Sequence, residues 1–225
     1  MAASQADTLR LFTALRLHRT VWAGSLVLGL GLNDAGRAFA LASLAAGAAA
    51  LLLEDDPARL REASREGCAT FTVTTLDEAL RALKNEVRQG RAITVALGGS
   101  VEQWLSEMAE RGVLPRSLAV ARELSDAEAA AIGILKDWGA ERLHGLGLIG
   151  PGEVELTVGA HWAITTDTAT NQAERRSLDA ALLAAAEGDA AMSEVTRQWL
   201  RAAPTLFPRS LDRSHWQSLS TPVKA

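Results

Sequence analysis

The sequence has one cysteine, no tyrosine, no basic surplus and no long apolar run. A lone Cys68 cannot form an intramolecular disulfide, so a stapled secreted scaffold is excluded and a cytoplasmic setting is the simplest expectation. Lys and Arg number 23 against 27 Asp and Glu, a formal charge of -4. A nucleic-acid-binding face normally shows the opposite balance, so no nucleic-acid partner is expected. The apolar stretch Phe39–Leu53 contains Ser43 and Gly47 and falls short of the roughly 20 residues a membrane span needs. It reads as a buried helix running into a buried strand, and no membrane association is expected. Neither a G-x-S-x-G elbow nor a Walker lysine occurs, so serine-hydrolase and P-loop chemistry find no support. His18, His144, His161 and His215 have no metal-ligand spacing, and no second cysteine exists to help them.

What is abundant is alanine, 43 of 225 residues. With 48% hydrophobic and 22% charged residues the composition is that of a packed globular protein. Small side chains suit helices that lie close on something flat. Residues 1–20 carry Arg10, Arg16 and Arg19 against one acid, Asp7, and loosely mimic a transit peptide. Leu9, Phe12 and Leu15 at helical spacing point instead to an amphipathic helix over residues 5–20.

The punctuation of the chain predicts its architecture. Thr75 with Glu78, Ser100 with Gln103 and Ser125 with Glu128 fit the capping box that opens a helix. Gly47, Gly67, Gly90, Gly112 and Gly139 fall where helices should end. Between stops and starts lie six short apolar runs: Ser25–Leu28, Ala48–Leu53, Ala69–Val73, Ala92–Leu97, Ser117–Ala121 and Arg142–Ile149. Strands apolar on both faces that alternate with helices belong to a parallel sheet covered on both sides. The expectation is a doubly wound, mostly parallel, six-stranded Rossmann-like α/β sheet over residues 1–150. Beyond Gly150 the pattern changes. Glu153–Val158 and His161–Thr166 look like an extended pair, and Asn171 caps helices near Glu174–Ala186 and Ala190–Ala203, stopped by Pro204 and Pro208. Arg209–Ala225 has no clear period and is expected to be loosely attached. Thr165, Thr166 and Asp167 beside His161 and Trp162 either line a cleft at a strand end or form a capped turn. Trp104, Trp138 and Trp199 fall on helices, where burial or a homodimer surface would use them.

The main chemical signal follows the first strand, which is expected to end in Gly29-Leu30-Gly31 before Leu32, Asn33 and Asp34 lead to Gly36. In a dinucleotide fold, glycines here allow a tight turn and close approach of backbone to the pyrophosphate, and the helix N-terminus supplies N–H donors. Read from Gly29, the spacing is two residues longer than the usual fingerprint, and Asp34 puts a negative charge near the phosphate. Glu54-Asp55-Asp56 ends the second strand, where an acid would bind ribose hydroxyls and disfavour a 2′-phosphate, so NAD rather than NADP is indicated. A turn in any α/β sheet also wants glycine, which leaves a purely structural role open.

From about Leu26 to Pro115 the sequence resembles the central Rossmann-like domain of urocanase (urocanate hydratase). That family reads roughly GLGGMGGAQ, then MAG, then a strand ending VEVD-P, then LDEAL, then GNAAE and RRGVxPD. This chain offers Gly29-Leu30-Gly31 and Gly36, Ala46-Gly47, Leu53-Glu54-Asp55-Asp56-Pro57, Leu76-Asp77-Glu78-Ala79-Leu80, Gly98-Gly99-Ser100-Val101-Glu102 and Arg111-Gly112-Val113-Leu114-Pro115. The resemblance implies NAD contacts at Gly29, Leu30, Gly31, Asn33, Gly36, Glu54, Gly98, Gly99 and Ser100. Arg59, five residues after Glu54, matches a nucleotide-contacting arginine of the family, and it could equally pair with Glu62 or Asp55 on a solvated helix.

The departures carry equal information. Where the family continues into a TDQTSAHD stretch that approaches nicotinamide and substrate, this chain reads Arg116–Asp126, with Ser125 as a helix cap. In urocanase the domain is an insertion in a large core that holds the substrate, and neither flank here reads like that core. The resemblance therefore implies lyase chemistry of histidine catabolism, with this chain incomplete for it unless a partner chain supplies the core. Two other readings stand beside it. One is a degenerate domain without cofactor that serves as an interaction or structural module. The other is an unrelated small α/β enzyme with its site at the strand ends near Gly29, Glu54, Gly98 and Ala121. Cys68, after Gly67, reads as a small buried residue.

Overall fold

The apolar runs between capped helices form one parallel sheet. In the computed structural model, which describes residues 3–143 and 162–218, helix α1 (Gln5–His18) precedes β1 (Leu26–Leu30), α2 (Asp34–Ala46), β2 (Ala49–Glu54), α3 (Pro57–Arg65) and β3 (Phe71–Val73). Then come α4 (Leu76–Gln89), β4 (Ile93–Gly98), α5 (Val101–Glu110), β5 (Ser117–Val120), α6 (Asp126–Asp137) and β6 (Glu141–Arg142). The strand order is β3-β4-β2-β1-β5-β6, and every pair is parallel. This is the doubly wound α/β sheet that the alternation predicts. The sixth strand spans only Glu141–Arg142, and the rest of its expected run, from residue 144 onward, lies outside the described residues.

Local chemistry sets these limits. Ser125 and Glu128 close a reciprocal capping box at α6. At α4 and α5 the Thr75 and Ser100 hydroxyls accept from the Glu78 and Gln103 N–H groups without the return bond to the cap's own N–H. Helix α2 ends at Gly47 in the left-handed conformation, which glycine adopts without strain. The sheet is buried on both faces. On one side Phe12, Trp22, Phe39 and Trp199 share a core, and on the other Leu83, Leu105, Met108 and Leu135 pack under α4, α5 and α6. Alanine has the role its abundance suggests: Ala38, Ala42, Ala45 and Ala46 of α2 are buried in the same core as Ala50 of β2.

The C-terminal residues depart from expectation. Strand β7 (Trp162–Thr168) pairs antiparallel with β8 (Asp212–Ser218), and α7 (Gln172–Gly188) and α8 (Glu194–Leu206) lie between them in sequence. The expected partner strand, Glu153–Val158, lies outside the described residues. Thr165, Thr166 and Asp167 are strand residues and not a capped turn. The supposedly loose tail is instead built in through residue 218. Arg213 is buried because its guanidinium pairs with Asp179 of α7 at 2.9 Å. Trp199 donates through Nε1 to the Ser214 carbonyl at 2.7 Å, and Trp216 donates to Thr13 Oγ1 of α1 at 2.9 Å. These partners are remote in sequence, so no local period announces the strand. Pro204 does not stop α8, which runs to Leu206 with the proline in its last turn. The proline lacks the N–H that would bond the Leu200 carbonyl, a local loss that does not end the helix.

Candidate functional site

The strand order reverses direction between β1 and β5, and in open α/β sheets ligands bind in the crevice outside the strand C-termini at such a point. The turn from β1 to α2 lines it. Strand β1 runs through Gly29 and Leu30, so both are strand residues and the turn starts at Gly31. Gly29 faces Leu52 and Phe39, and a Cβ there would lie 2.9 Å from Leu52. Its lack of a side chain serves packing.

Gly31, at φ +90°, turns the chain, and Asn33 caps α2 by accepting from the Gly36 N–H at 3.0 Å. Its amide also donates to the Ala121 carbonyl at the end of β5, tying the turn across the crevice. Gly36 is a steric requirement. A Cβ on it would overlap the Gly31 carbonyl, coming within 2.8 Å of the carbon and closer to the oxygen. The first turn of a 13-residue helix is thereby pressed against the strand end. Asp34, the first residue of α2, pairs with Arg37, whose buried guanidinium also meets Glu62 at 2.7 Å and Glu66 at 3.1 Å. The Arg37 charge holds the Glu62 carboxyl below its usual pKa.

Glu54 ends β2 with no exposed surface. Its carboxylate accepts from the Leu32 N–H at 2.6 Å and the Asp56 N–H at 2.9 Å, so it braces the β1–α2 turn. Arg59, in the first turn of α3, is half-exposed and only loosely placed, 3.9 Å from Glu54 and 3.7 Å from Asp56. Gly98 and Gly99 follow on the neighbouring strand end. A Cβ on Gly98 would lie 2.8 Å from Leu60, and Gly99 leaves room for Trp104, whose indole donates to the Gly98 carbonyl at 3.2 Å. Ser100 is committed as the cap of α5. Gly31, Asn33, Gly36, Glu54, Arg59, Gly98, Gly99 and Ser100 thus share one edge of the sheet, beside the strand residues Gly29 and Leu30.

Sequence reasoning missed the residue that spans this edge. Arg122 follows β5, lies with Cβ and Cγ against Gly31, and reaches Asp55 at the end of β2 at 2.8 Å and Glu128 of α6 at 3.3 Å. Burial pushes the Asp55 carboxyl up, but hydrogen bonding with Glu54 and the Arg122 guanidinium outweigh it and hold the pKa below the usual value. Only the replacement of the family's TDQTSAHD stretch hinted that new chemistry stood here.

The family model of the urocanase Rossmann-like domain matches residues 7–121, from α1 to the end of β5. That is just over half of the chain. The chain belongs to the urocanase family. Strand β1 runs two residues past its expected end at Leu28, so the turn between β1 and α2 is only Gly31–Asn33. The urocanase match stops one residue before Arg122.

Other candidates carry less chemistry. Burial raises the Cys68 thiol to about 12, Glu66 adding to the effect, so it is inert at neutral pH. Among the described residues no cluster of three His, Cys, Asp or Glu could hold a metal, and no helix is long and apolar enough to cross a membrane.

Proposed function

We propose that this urocanase-type domain binds NAD across the β1/β5 crevice and is not by itself a complete urocanate hydratase. The observation that carries the reading is Gly36 against Gly31, which brings the α2 N-terminus as close to the strand end as a pyrophosphate site requires. The first N–H groups of α2 would face the phosphates, with Arg59 and Arg122 as cations beside them. Glu54 and Asp55 would stand at the ribose end, where their charge favours NAD over NADP. The pairing of Asp34 with Arg37 offsets the one charge that opposes a phosphate. In urocanases bound NAD acts as an electrophile towards urocanate. Apart from Asp126, the residues that position substrate there have no counterpart in Arg116–Asp126, so a partner chain would have to supply them.

The bridge from Arg122 to Asp55 does not stand in the way. Asp55 is half-exposed, and a solvent-accessible ion pair is worth about 0–1 kcal/mol. Opening it lowers affinity by at most about fivefold.

A second reading, a cofactor-free structural or interaction module, draws on the burial of Glu54, whose oxygens already serve Leu32 and Asp56. Calorimetric titration of the full chain with NAD, NADP and ADP-ribose separates the two. Binding of NAD and ADP-ribose in preference to NADP is expected. No heat at millimolar NAD would overturn the first reading. Urocanate absorbance should stay constant with the protein and NAD alone, and turnover would refute the claim of incompleteness.

A further inference from the structure

A second concave site is lined only by residues that follow the urocanase match, which ends at residue 121. Helices α7 and α8 and the β7–β8 ribbon enclose a cleft of about 470 Å³, in the size range of small-molecule sites. Its apolar lining includes Leu182, Met192, Leu200 and Trp216. The Trp216 indole is anchored through its N–H to Thr13, so the ring is fixed in place before any ligand arrives.

The polar groups of the cleft have one dominant sign. Asp167, Asp189 and His215 carry its ionisable groups. His215 Nε2 donates to one oxygen of Asp167 at 2.7 Å, and the Asp167 side chain remains 43% exposed. Asp189 accepts from the Ala191 N–H at 2.8 Å, and no ion pair to its carboxylate occurs among the described residues. The arginines nearby are engaged elsewhere: Arg175 and Arg213 both pair with Asp179. Arg197 pairs with Glu194 and caps the Ala186 and Asp189 carbonyls. The cleft thus brings two carboxylates and one imidazole beside an apolar lining.

We propose that this cleft binds a small organic cation with an apolar body, of the arylalkylamine class. Its ammonium would lie between Asp167 and Asp189, and its ring on Trp216 and Met192, where cation, carboxylate and indole faces complement one another. An anion such as a phosphate ester or a free carboxylate is repelled by the same pair.

The test uses three phenylalkyl probes that differ chiefly in the polar head on the full chain: 2-phenylethylamine, 2-phenylethanol and 3-phenylpropionate. Binding is followed by calorimetry and by the Trp216 indole N–H resonance. The amine is expected to bind in the millimolar range or tighter, about what nine non-hydrogen atoms achieve, and to shift that resonance. The alcohol should bind about tenfold more weakly, and the carboxylate not at all. Asp189→Asn, at an exposed position, should weaken the amine about tenfold without changing the melting temperature. Ala185→Trp, which fills the cleft from its exposed rim, should abolish binding. Equal binding of all three probes, amine binding unchanged in both variants, or no amine binding at about 10 mM overturns the proposal. The outcome is independent of whether NAD occupies the crevice.

Discussion

Gly36→Ala and Gly133→Ala make the same chemical change in two helices, and the structure assigns them opposite signs. At Gly36 the new methyl would overlap the Gly31 carbonyl, with 2.8 Å to its carbon. That carbonyl cannot yield like a side-chain tip. Gly31 sits at φ +90°, and its own N–H is bonded to the Leu53 carbonyl at 2.9 Å. Relief must come from displacing the start of α2, which would also loosen the Asn33 cap and the Arg37 cage. Overpacking costs about 1–3 kcal/mol, and backbone against backbone belongs at the upper end. Alanine recovers up to about 1 kcal/mol of helix propensity, leaving a net loss of about 2 kcal/mol. At about 2–4 °C per kcal/mol for a chain of this size, the melting temperature falls by about 4–8 °C. Gly133, within α6, has nothing within 4 Å of its would-be Cβ. Only propensity acts there, and a gain of about 0.5–1 kcal/mol is expected. Urea unfolding followed by tryptophan fluorescence, with thermal melts by circular dichroism, measures both. If Gly36→Ala lies within about 0.5 kcal/mol of the parent protein, the steric account of the turn is wrong.

Arg122→Ala removes both the partner of Asp55 and a cation beside the phosphates, so NAD affinity measured by calorimetry should fall about two- to fivefold. The Asp55 pKa lies below the ordinary 3.8, so the pair adds stability above that pH and loses it as pH falls through the folded-state value. Between pH 5 and 8 this group should therefore leave NAD binding unchanged, as titrations at the two ends of the range can check. With its thiol raised to about 12, Cys68 is about one part in ten thousand thiolate at pH 8. It should not react with a disulfide reagent until the protein unfolds, and rapid labelling of the native chain would contradict its burial. Trp199→Ala should cost about 3–5 kcal/mol in urea unfolding, because the indole is fully buried between Phe12 and Phe207 and bonded to Ser214.

The sheet was legible because its signals are local. Ser125 with Glu128, Gly47 after Ala46 and the unbroken run Ala48–Leu53 each state a boundary within a few residues. The sequence pattern puts the end of β1 two residues early because Gly29 looks like turn punctuation. Its reason for being glycine is Leu52 and Phe39, one strand and one helix away. Strand β8 was illegible for a related reason: Arg213 is buried by virtue of Asp179, and no pattern within Arg209–Ala225 can reveal a partner on α7. At the crevice, the sequence located the glycines and Glu54 by their order along the chain. The bridge by Arg122 stayed hidden because it joins residues 67 apart.

The approach of Gly36 to Gly31 sets the first N–H groups of α2 where a pyrophosphate would lie. The weight falls on how much the substitutions around them subtract. Asp34 at the start of α2 opposes a phosphate by an amount comparable to what it gives the helix, about 0.3–1 kcal/mol, and its pairing with Arg37 draws part of that charge aside. Opening the Arg122–Asp55 pair costs about 0–1 kcal/mol more. Together these penalties reach about 2 kcal/mol at most, a factor of about 30 in affinity. A crevice that otherwise bound NAD at micromolar concentration would still bind it at tens of micromolar. Loss of binding at millimolar NAD would therefore require a larger defect than any of these side chains supplies. The buried carboxylate of Glu54, bonded to the Leu32 and Asp56 N–H groups, is the group positioned to cause one.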